Sequence, residues 1–288
     1  MRIKSFAKIN LGLEIIGKRP DGYHDIRTLY QTISLHDDIE FHPEGDGILR
    51  LEGDDASVPW DETNLVLKAA RSLRNITGSG RGASIRVAKR IPSGGGLAGG
   101  SSNAAVTLIA LNRMWDLGLD RSDLEAAARD LGADVPFFLH GGLCQGLGKG
   151  DDLSELPDLD PLSCLLALPP FPIRTASVYE ALPRTLTSSS KDSRIRRFLE
   201  TRDFGLLTNE LEAVILRTYP ELGDFKKLFR GEGAVLSLVS GSGSAVFGLF
   251  ADRARARQAL DSLREDSRGL LVEVLPRESY RKELDAGV

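Results

Sequence analysis

Between a strand-like run and a helix-like run, residues 92 to 103 read Pro-Ser-Gly-Gly-Gly-Leu-Ala-Gly-Gly-Ser-Ser-Asn. Five glycines within seven positions form a loop whose backbone can come close to another group. Without Cβ atoms, its peptide N–H groups are free to turn inward. The helix expected to start near Ser101 adds unpaired N–H groups and the positive end of its dipole. That is the chemistry of a phosphate cradle, and it demands a strand on one side and a helix on the other. Ala98 interrupts the glycines, and its methyl group is strained there if the loop needs a positive φ.

The strand before the loop, 83 to 91, alternates Ala83, Ile85 and Val87 with polar residues, and Lys89 falls on its apolar parity. An ammonium there takes a partner or snorkels to water. The helix after the loop, 101 to 115, carries Ala104, Ala105, Leu108, Leu111 and Trp115 on one broad face. At the N-terminus, Ile3, Ala7, Ile9, Leu11, Leu13 and Ile15 alternate with Lys4, Lys8, Asn10 and Glu14, the pattern of a half-buried strand. Its parity puts Lys8 and Asn10 on one face, about 6 to 7 Å apart, where one ligand can meet both. Pro20-Asp21-Gly22 signals a tight turn, followed by strand-like runs at 29 to 35 and 38 to 42.

A helix over 63 to 76 with Thr63 as its cap is expected next, then one opening on a Ser122 to Glu125 capping box and stopping at Gly132. In Ala133-Asp134-Val135-Pro136-Phe137, Asp134 reads by itself as the N-cap of a short turn. Composition shifts to Asp, Pro and Leu around 150 to 163, which divides the chain into residues 1–155 and 156–288. The second part opens on a buried strand at 164 to 168 and contains a polar surface loop at 186 to 193 and helices at 195 to 217 and 221 to 230. It ends as strand 234 to 240, turn, strand 245 to 250, helix 252 to 265 and strand 270 to 275, which suits an α/β sandwich.

Gly94, Gly96 and Gly99 satisfy GxGxxG, yet the dinucleotide fingerprint needs a continuously hydrophobic first strand and an acidic residue ending the second. Here the preceding strand alternates and carries Lys89 and Arg90, while Asp116 follows a helix with no strand after it. Gly148-Lys149 is followed by Gly150 rather than Ser or Thr, which excludes a Walker loop. A protein-kinase loop needs an HRD element that the chain lacks. The net charge of −4 with mixed signs gives no broad basic field for nucleic acid. No apolar run approaches the roughly 20 residues that span a bilayer, and the N-terminus lacks the apolar region of a signal peptide, so a cytoplasmic protein with no membrane partner is expected. Cys144 and Cys164, without a CxxC pair, read as small buried hydrophobes.

Three ordered segments, Ala7-Lys8-Ile9-Asn10-Leu11, Pro92 to Ser102, and Ser240-Gly241-Ser242-Gly243-Ser244-Ala245, resemble the motifs of the GHMP kinases. Arg19-Pro20-Asp21-Gly22-Tyr23-His24 and Leu131-Gly132-Ala133-Asp134-Val135-Pro136-Phe137 narrow the resemblance to members acting on a cytidine diphosphate-linked methylerythritol in the non-mevalonate isoprenoid pathway. The resemblance implies an α+β fold of two domains: an N-terminal ribosomal S5-like β/α domain and a C-terminal ferredoxin-like α/β sandwich, with the active site in the cleft between them. It implies transfer of the γ-phosphate of ATP to the substrate's 2-hydroxyl. Asp134 would be the base or orienting carboxylate, and Lys8 the cation steadying it. Pro92, Ser93, Gly94, Gly95, Gly96, Leu97, Ala98, Gly99, Gly100, Ser101 and Ser102 would wrap the phosphates, and Ser101 or Ser102 would help hold Mg²⁺. Asn64 and Lys89 would border the adenine, Asn10 would touch the sugar, and Tyr23 and His24 would read the cytosine. Phe171 would give the opposing aromatic face, and Thr175 would lie near the diphosphate. Lys149 stands where the resemblance implies an acidic residue. The alternatives are a kinase for mevalonate, homoserine or another small alcohol, and a catalytically silent nucleotide-binding module.

Overall fold

The computed structural model describes residues 1–182, 193–264 and 266–287, so the loop expected at 186 to 193 lies outside the described residues except for Ser193. The alternating N-terminal run forms β1 (Arg2–Lys18), antiparallel to β2 (His24–Glu44). The two strands expected at 29 to 35 and 38 to 42 are one. Register slips between Phe6 opposite His36 and Ala7 opposite Ile33, a bulge that lets β2 bend without ending. On its other edge β2 carries β4 (Gly82–Ala88) along Asp38 to Glu44 and β5 (Leu143–Leu147) along Thr28 to Gln31. β3 (Leu49–Gly53) and β6 (Asp152–Glu155) complete the six-stranded sheet.

Three helices, α1 (Leu65–Thr77), α2 (Gly99–Met114) and α3 (Arg121–Leu131), contribute apolar faces to the core of this sheet, which includes Phe41, Trp115 and Phe137. Their starts differ from expectation. Asn64, not Thr63, caps α1 by accepting from Val66 N at 3.0 Å, because Asp61 holds the Thr63 hydroxyl at 2.6 Å. α2 begins at Gly99, two residues before Ser101. The capping box of α3 is Asp120 with Asp123, again two residues early. A short helix, α4 (Phe137–His140), leads into β5.

The second sheet is antiparallel, in the order β10 (Arg268–Glu273), β7 (Ser163–Leu168), β9 (Val246–Phe250), β8 (Leu236–Val239). Helices α5 (Thr175–Glu180), α6 (Arg194–Thr201), α7 (Glu212–Thr218) and α8 (Glu221–Gly231) separate β7 from β8, and α9 (Arg253–Asp261) separates β9 from β10. This is the β-α-β-β-α-β order of a ferredoxin-like unit. The single helix expected over 195 to 217 is broken, because Arg202 turns left-handed at φ 58°. Asp203-Phe204-Gly205, the kinase DFG triplet in letters, lies in a one-turn 3₁₀ segment where Asp203 caps Gly205 N at 2.8 Å.

An unanticipated final helix, α10 (Arg277–Ala286), crosses back to put Tyr280 and Leu284 into the first sheet's core beside Phe6 and Phe138. β1 ties the molecule together. Its Ile3 and Phe6 face the first core, Ala7, Ile9 and Leu11 join Leu166 and Phe247 between the sheets, and Leu13 and Ile15 meet Val246 and Phe250. Backbone bonds add to the join: Leu13 N donates to Thr208 O and Leu275 N to Thr32 O, both at 2.9 Å. Among the described residues, no helix is long and apolar enough to cross a membrane.

Candidate active site

A cleft of about 970 Å³ lies where the glycine loop, β1, the Gly132 to Pro136 turn and α5 converge. Three successive carbonyls of the loop point into the protein: Gly95 O accepts from Ala245 N at 3.1 Å, Gly96 O from Lys8 Nζ and Ser240 Oγ at 3.0 Å, and Leu97 O from Lys8 N at 3.1 Å. With the carbonyls so held, the N–H side of the loop and the unpaired first turn of α2 are left to the cleft that Gly94 to Gly96 and Ala98 to Ser101 line. The glycines are required. A Cβ on Gly96, at φ 73°, would lie 2.1 Å from Ser240 O, and one on Gly94, at φ 72°, 2.9 Å from Pro172 Cβ. Ala98 is left-handed at φ 56°, so it bears about 1–2 kcal/mol of backbone strain at the threshold of α2.

Parity in β1 delivers Lys8 and Asn10 to the cleft as expected. The Lys8 ammonium donates to Asn10 Oδ1 at 2.6 Å and to Gly96 O at 3.0 Å, and it lies 3.6 Å from Asp134 Oδ2. Asn10 is itself fixed, donating from Nδ2 to Thr28 Oγ1 at 2.8 Å, so its amide positions Lys8. Asp134 does not cap the turn that follows it. Its Oδ1 accepts from Tyr30 Oη at 3.1 Å while the N-cap of α4 is Pro136. A buried cation, a one-third-exposed carboxylate and a helix N-terminus thus share one wall, which suits transfer of an anionic group to a hydroxyl held at Asp134.

Burial lowers the Lys8 pKa below its ordinary value of 10.5, and the attraction of Asp134 opposes that only in part. Lys8 is charged below its folded pKa and neutral above it, so rising pH removes the cation from the site. The unfolded chain binds that proton more tightly, so Lys8 costs folding stability at neutral pH, and the cost fades as pH climbs towards 10.5. The pH profile of kcat/KM, which reports the free enzyme, is expected to fall on its alkaline side below pH 10.5. An alkaline limb beginning only above that pH would remove Lys8 as the titrating group.

The far end of the cleft is aromatic. Tyr23, 59% exposed, projects from the Pro20-Asp21-Gly22 turn, where Gly22 adopts φ 86°. Lys149 Nζ sits 4.4 Å from the Tyr23 ring centroid and 3.3 Å from Asp21 Oδ2, so the residue that departs from the family pattern braces this turn. The His24 ring lies 5.2 Å from that of Tyr179. Burial and the adjacent Lys18 keep the His24 pKa below the ordinary histidine value, which favours a neutral ring.

Several expected site residues lie elsewhere. Phe171 stacks on Tyr219 at 5.3 Å outside the cleft lining, and Tyr179, one helical turn beyond Thr175, occupies the aromatic position instead. Ser102 is fully buried and accepts from Ser5 Oγ at 2.7 Å; with α2 starting at Gly99, its side chain turns into the core. Leu97 is likewise core, contributing only its backbone. Asn64 uses its amide on Val66 N and Pro59 O, leaving the adjacent Leu65 to line the cleft. Lys89 does line it, just past the end of β4, with Asp37 as the partner its parity called for. Thr175 also lines it, its hydroxyl 2.8 Å from that of Ser242. Tyr30 and Tyr179 were missed because aromatic residues in strands and helices read as core; only register, Tyr30 opposite Asn10, would have placed the first in the site.

For Mg²⁺ the donor set is sparse. Among the described residues no group of three or more His, Cys, Asp or Glu could hold a metal, and of the two expected serines only Ser101 reaches the cleft. This fits an ion that takes most of its ligands from phosphates and water rather than from a protein cage.

A glycine-lined helix start facing a lysine–aspartate pair is an arrangement suited to phosphoryl transfer. Residues 64–142 match the family model for the GHMP kinases N terminal domain, and residues 194–268 that for GHMP kinases C terminal. The chain is 42% identical over 271 residues to a 4-diphosphocytidyl-2-C-methyl-D-erythritol kinase of Pelotomaculum thermopropionicum, covering 92% of this chain and 94% of the relative. A crystal structure of a 4-(cytidine 5'-diphospho)-2C-methyl-D-erythritol kinase superposes with a TM-score of 0.83 at 36% identity, covering 95% of this chain and 99% of that one. A homoserine kinase from Cytophaga hutchinsonii reaches 0.73 at 19% identity, covering 95% of each chain, a likeness of fold. The chain belongs to the GHMP kinases and, within them, to the 4-diphosphocytidyl-2-C-methyl-D-erythritol kinase family.

Proposed function

We propose that this chain transfers the γ-phosphoryl group of ATP to the 2-hydroxyl of 4-diphosphocytidyl-2-C-methyl-D-erythritol. The observation that carries the reading is one continuous cleft running from the glycine loop, past Lys8 and Asp134, to Tyr23, His24 and Tyr179. The loop N–H groups and the start of α2 receive the nucleotide phosphates. Tyr23 and Tyr179 offer faces for the cytosine ring, and His24 an edge to hydrogen-bond it. Asp134 accepts or orients the proton of the attacking hydroxyl, and Lys8, tethered to Gly96 of the loop, keeps carboxylate and phosphates in register. Mg²⁺ held by Ser101 and the phosphates would neutralise charge on the transferring group.

A kinase for homoserine or mevalonate has no use for the aromatic end, and a silent binding module has no use for a paired Lys8 and Asp134. ATP consumption by the purified chain is expected to depend on the cytidylated alcohol, to be competed by cytidine diphosphate, and to be absent with mevalonate or homoserine. Turnover of either of those alcohols without competition by cytidine nucleotides would overturn the substrate assignment.

A further inference from the structure

Gly146, inside β5, and Gly150, in the turn after it, both press on one side chain. A Cβ at Gly150 would lie 2.2 Å from Tyr30 Oη, and one at Gly146 would lie 2.8 Å from Tyr30 Cε2. The Gly-Leu-Gly-Lys-Gly segment therefore leaves room for a phenol. Tyr30 is 2% exposed, its ring 5.1 Å from that of Phe137 and 5.5 Å from Lys8 Nζ. Among the described residues its hydroxyl has one polar partner, Asp134 Oδ1 at 3.1 Å.

We propose that Tyr30 is a positioning residue for phosphoryl transfer: its hydroxyl fixes Asp134 Oδ1, so that Oδ2 stays turned toward Lys8 and the hydroxyl to be phosphorylated. Burial, reinforced by the Asp134 charge, pushes the Tyr30 pKa well above 10.0, so the phenol keeps its proton and donates. A carboxylate one-third exposed on a turn would otherwise rotate, and misplacing a reacting group by a fraction of an ångström is costly in rate. The inference rests on the catalytic reading of Asp134 given above.

The test compares the wild type with Tyr30→Phe, which keeps the ring against Phe137 and removes only the hydroxyl. The expected result is a kcat lowered roughly tenfold, the equivalent of about 1.4 kcal/mol in the barrier, with KM for ATP and for the cytidylated alcohol within about twofold of wild type, as expected for an interaction made in the transition state. A kcat within about twofold of wild type overturns the inference and leaves the proposed function standing, whereas a wild-type chain that does not phosphorylate the alcohol overturns both. Should Tyr30→Phe melt well below the wild type, the double variant Tyr30→Phe with Asp134→Asn decides, because a hydroxyl that acts through Asp134 adds no loss once that carboxylate is gone. A kcat equal to that of Asp134→Asn supports the proposal, and a further fall in kcat overturns it.

Discussion

Asp134→Asn is expected to lower kcat by roughly 10²- to 10⁴-fold, the range for loss of a positioned general base. The substitution is nearly isosteric, and an asparagine oxygen can still accept from Tyr30, so the side chain keeps its place. What disappears is the negative charge 3.6 Å from Lys8 Nζ and a basic carboxylate oxygen on the cleft wall. Lys8 retains Asn10 Oδ1 and Gly96 O, which limits the structural cost. Neither the glycine loop nor the aromatic end is touched, so KM for both substrates and calorimetric binding of ATP should stay close to wild type, the signature of an interaction made in the transition state. Turnover within a few-fold of wild type would remove Asp134 from the chemistry and leave positioning by the loop as the main contribution.

The route to this residue shows which parts of the fold a sequence can carry. Period-2 alternation placed Lys8 and Asn10 on one face because β1 is buried along nearly its whole length and its odd side chains have three cores to fill. The loop was legible for a related reason. Glycine at 94 and 96 is demanded by close backbone approach and positive φ, which are local properties. Boundaries that depend on tertiary contacts were not legible. Whether Ser101 or Gly99 opens α2 decides that Ser102 turns to Ser5 and away from the cleft. Tyr179 rather than Phe171 faces His24 because α5 starts at Thr175 and brings Tyr179 round by one turn, while Phe171 finds Tyr219. α10 has too polar a sequence to announce itself, since only Tyr280 and Leu284 of its residues are buried.

Glu14→Ala is expected to destabilise the fold by about 3–5 kcal/mol, the cost of leaving a buried ionic partner alone. Glu14 and Arg27 face each other across β1 and β2, at 2% and 4% exposure, with Arg27 Nη1 donating to Glu14 Oε2 at 2.8 Å. The same carboxylate accepts from Ser193 Oγ at 2.8 Å and from Ile195 N at 3.0 Å, so it also caps the start of α6 onto β1. Truncation strands a guanidinium and two further donors away from water. With each kcal/mol worth about 2–4 °C in a chain of this size, the melting temperature should fall by roughly 10 °C. Glu14 does not line the cleft, so the molecules that remain folded should keep the wild-type kcat. A double variant, Glu14→Leu with Arg27→Leu, should recover part of the loss, because an apolar pair needs no counter-charge. The recovery should stop short of wild type, since Ser193 and Ile195 N still lack their acceptor. A single variant that melts with the wild type would show that water reaches Arg27 and that Glu14 contributes nothing to holding α6 onto β1.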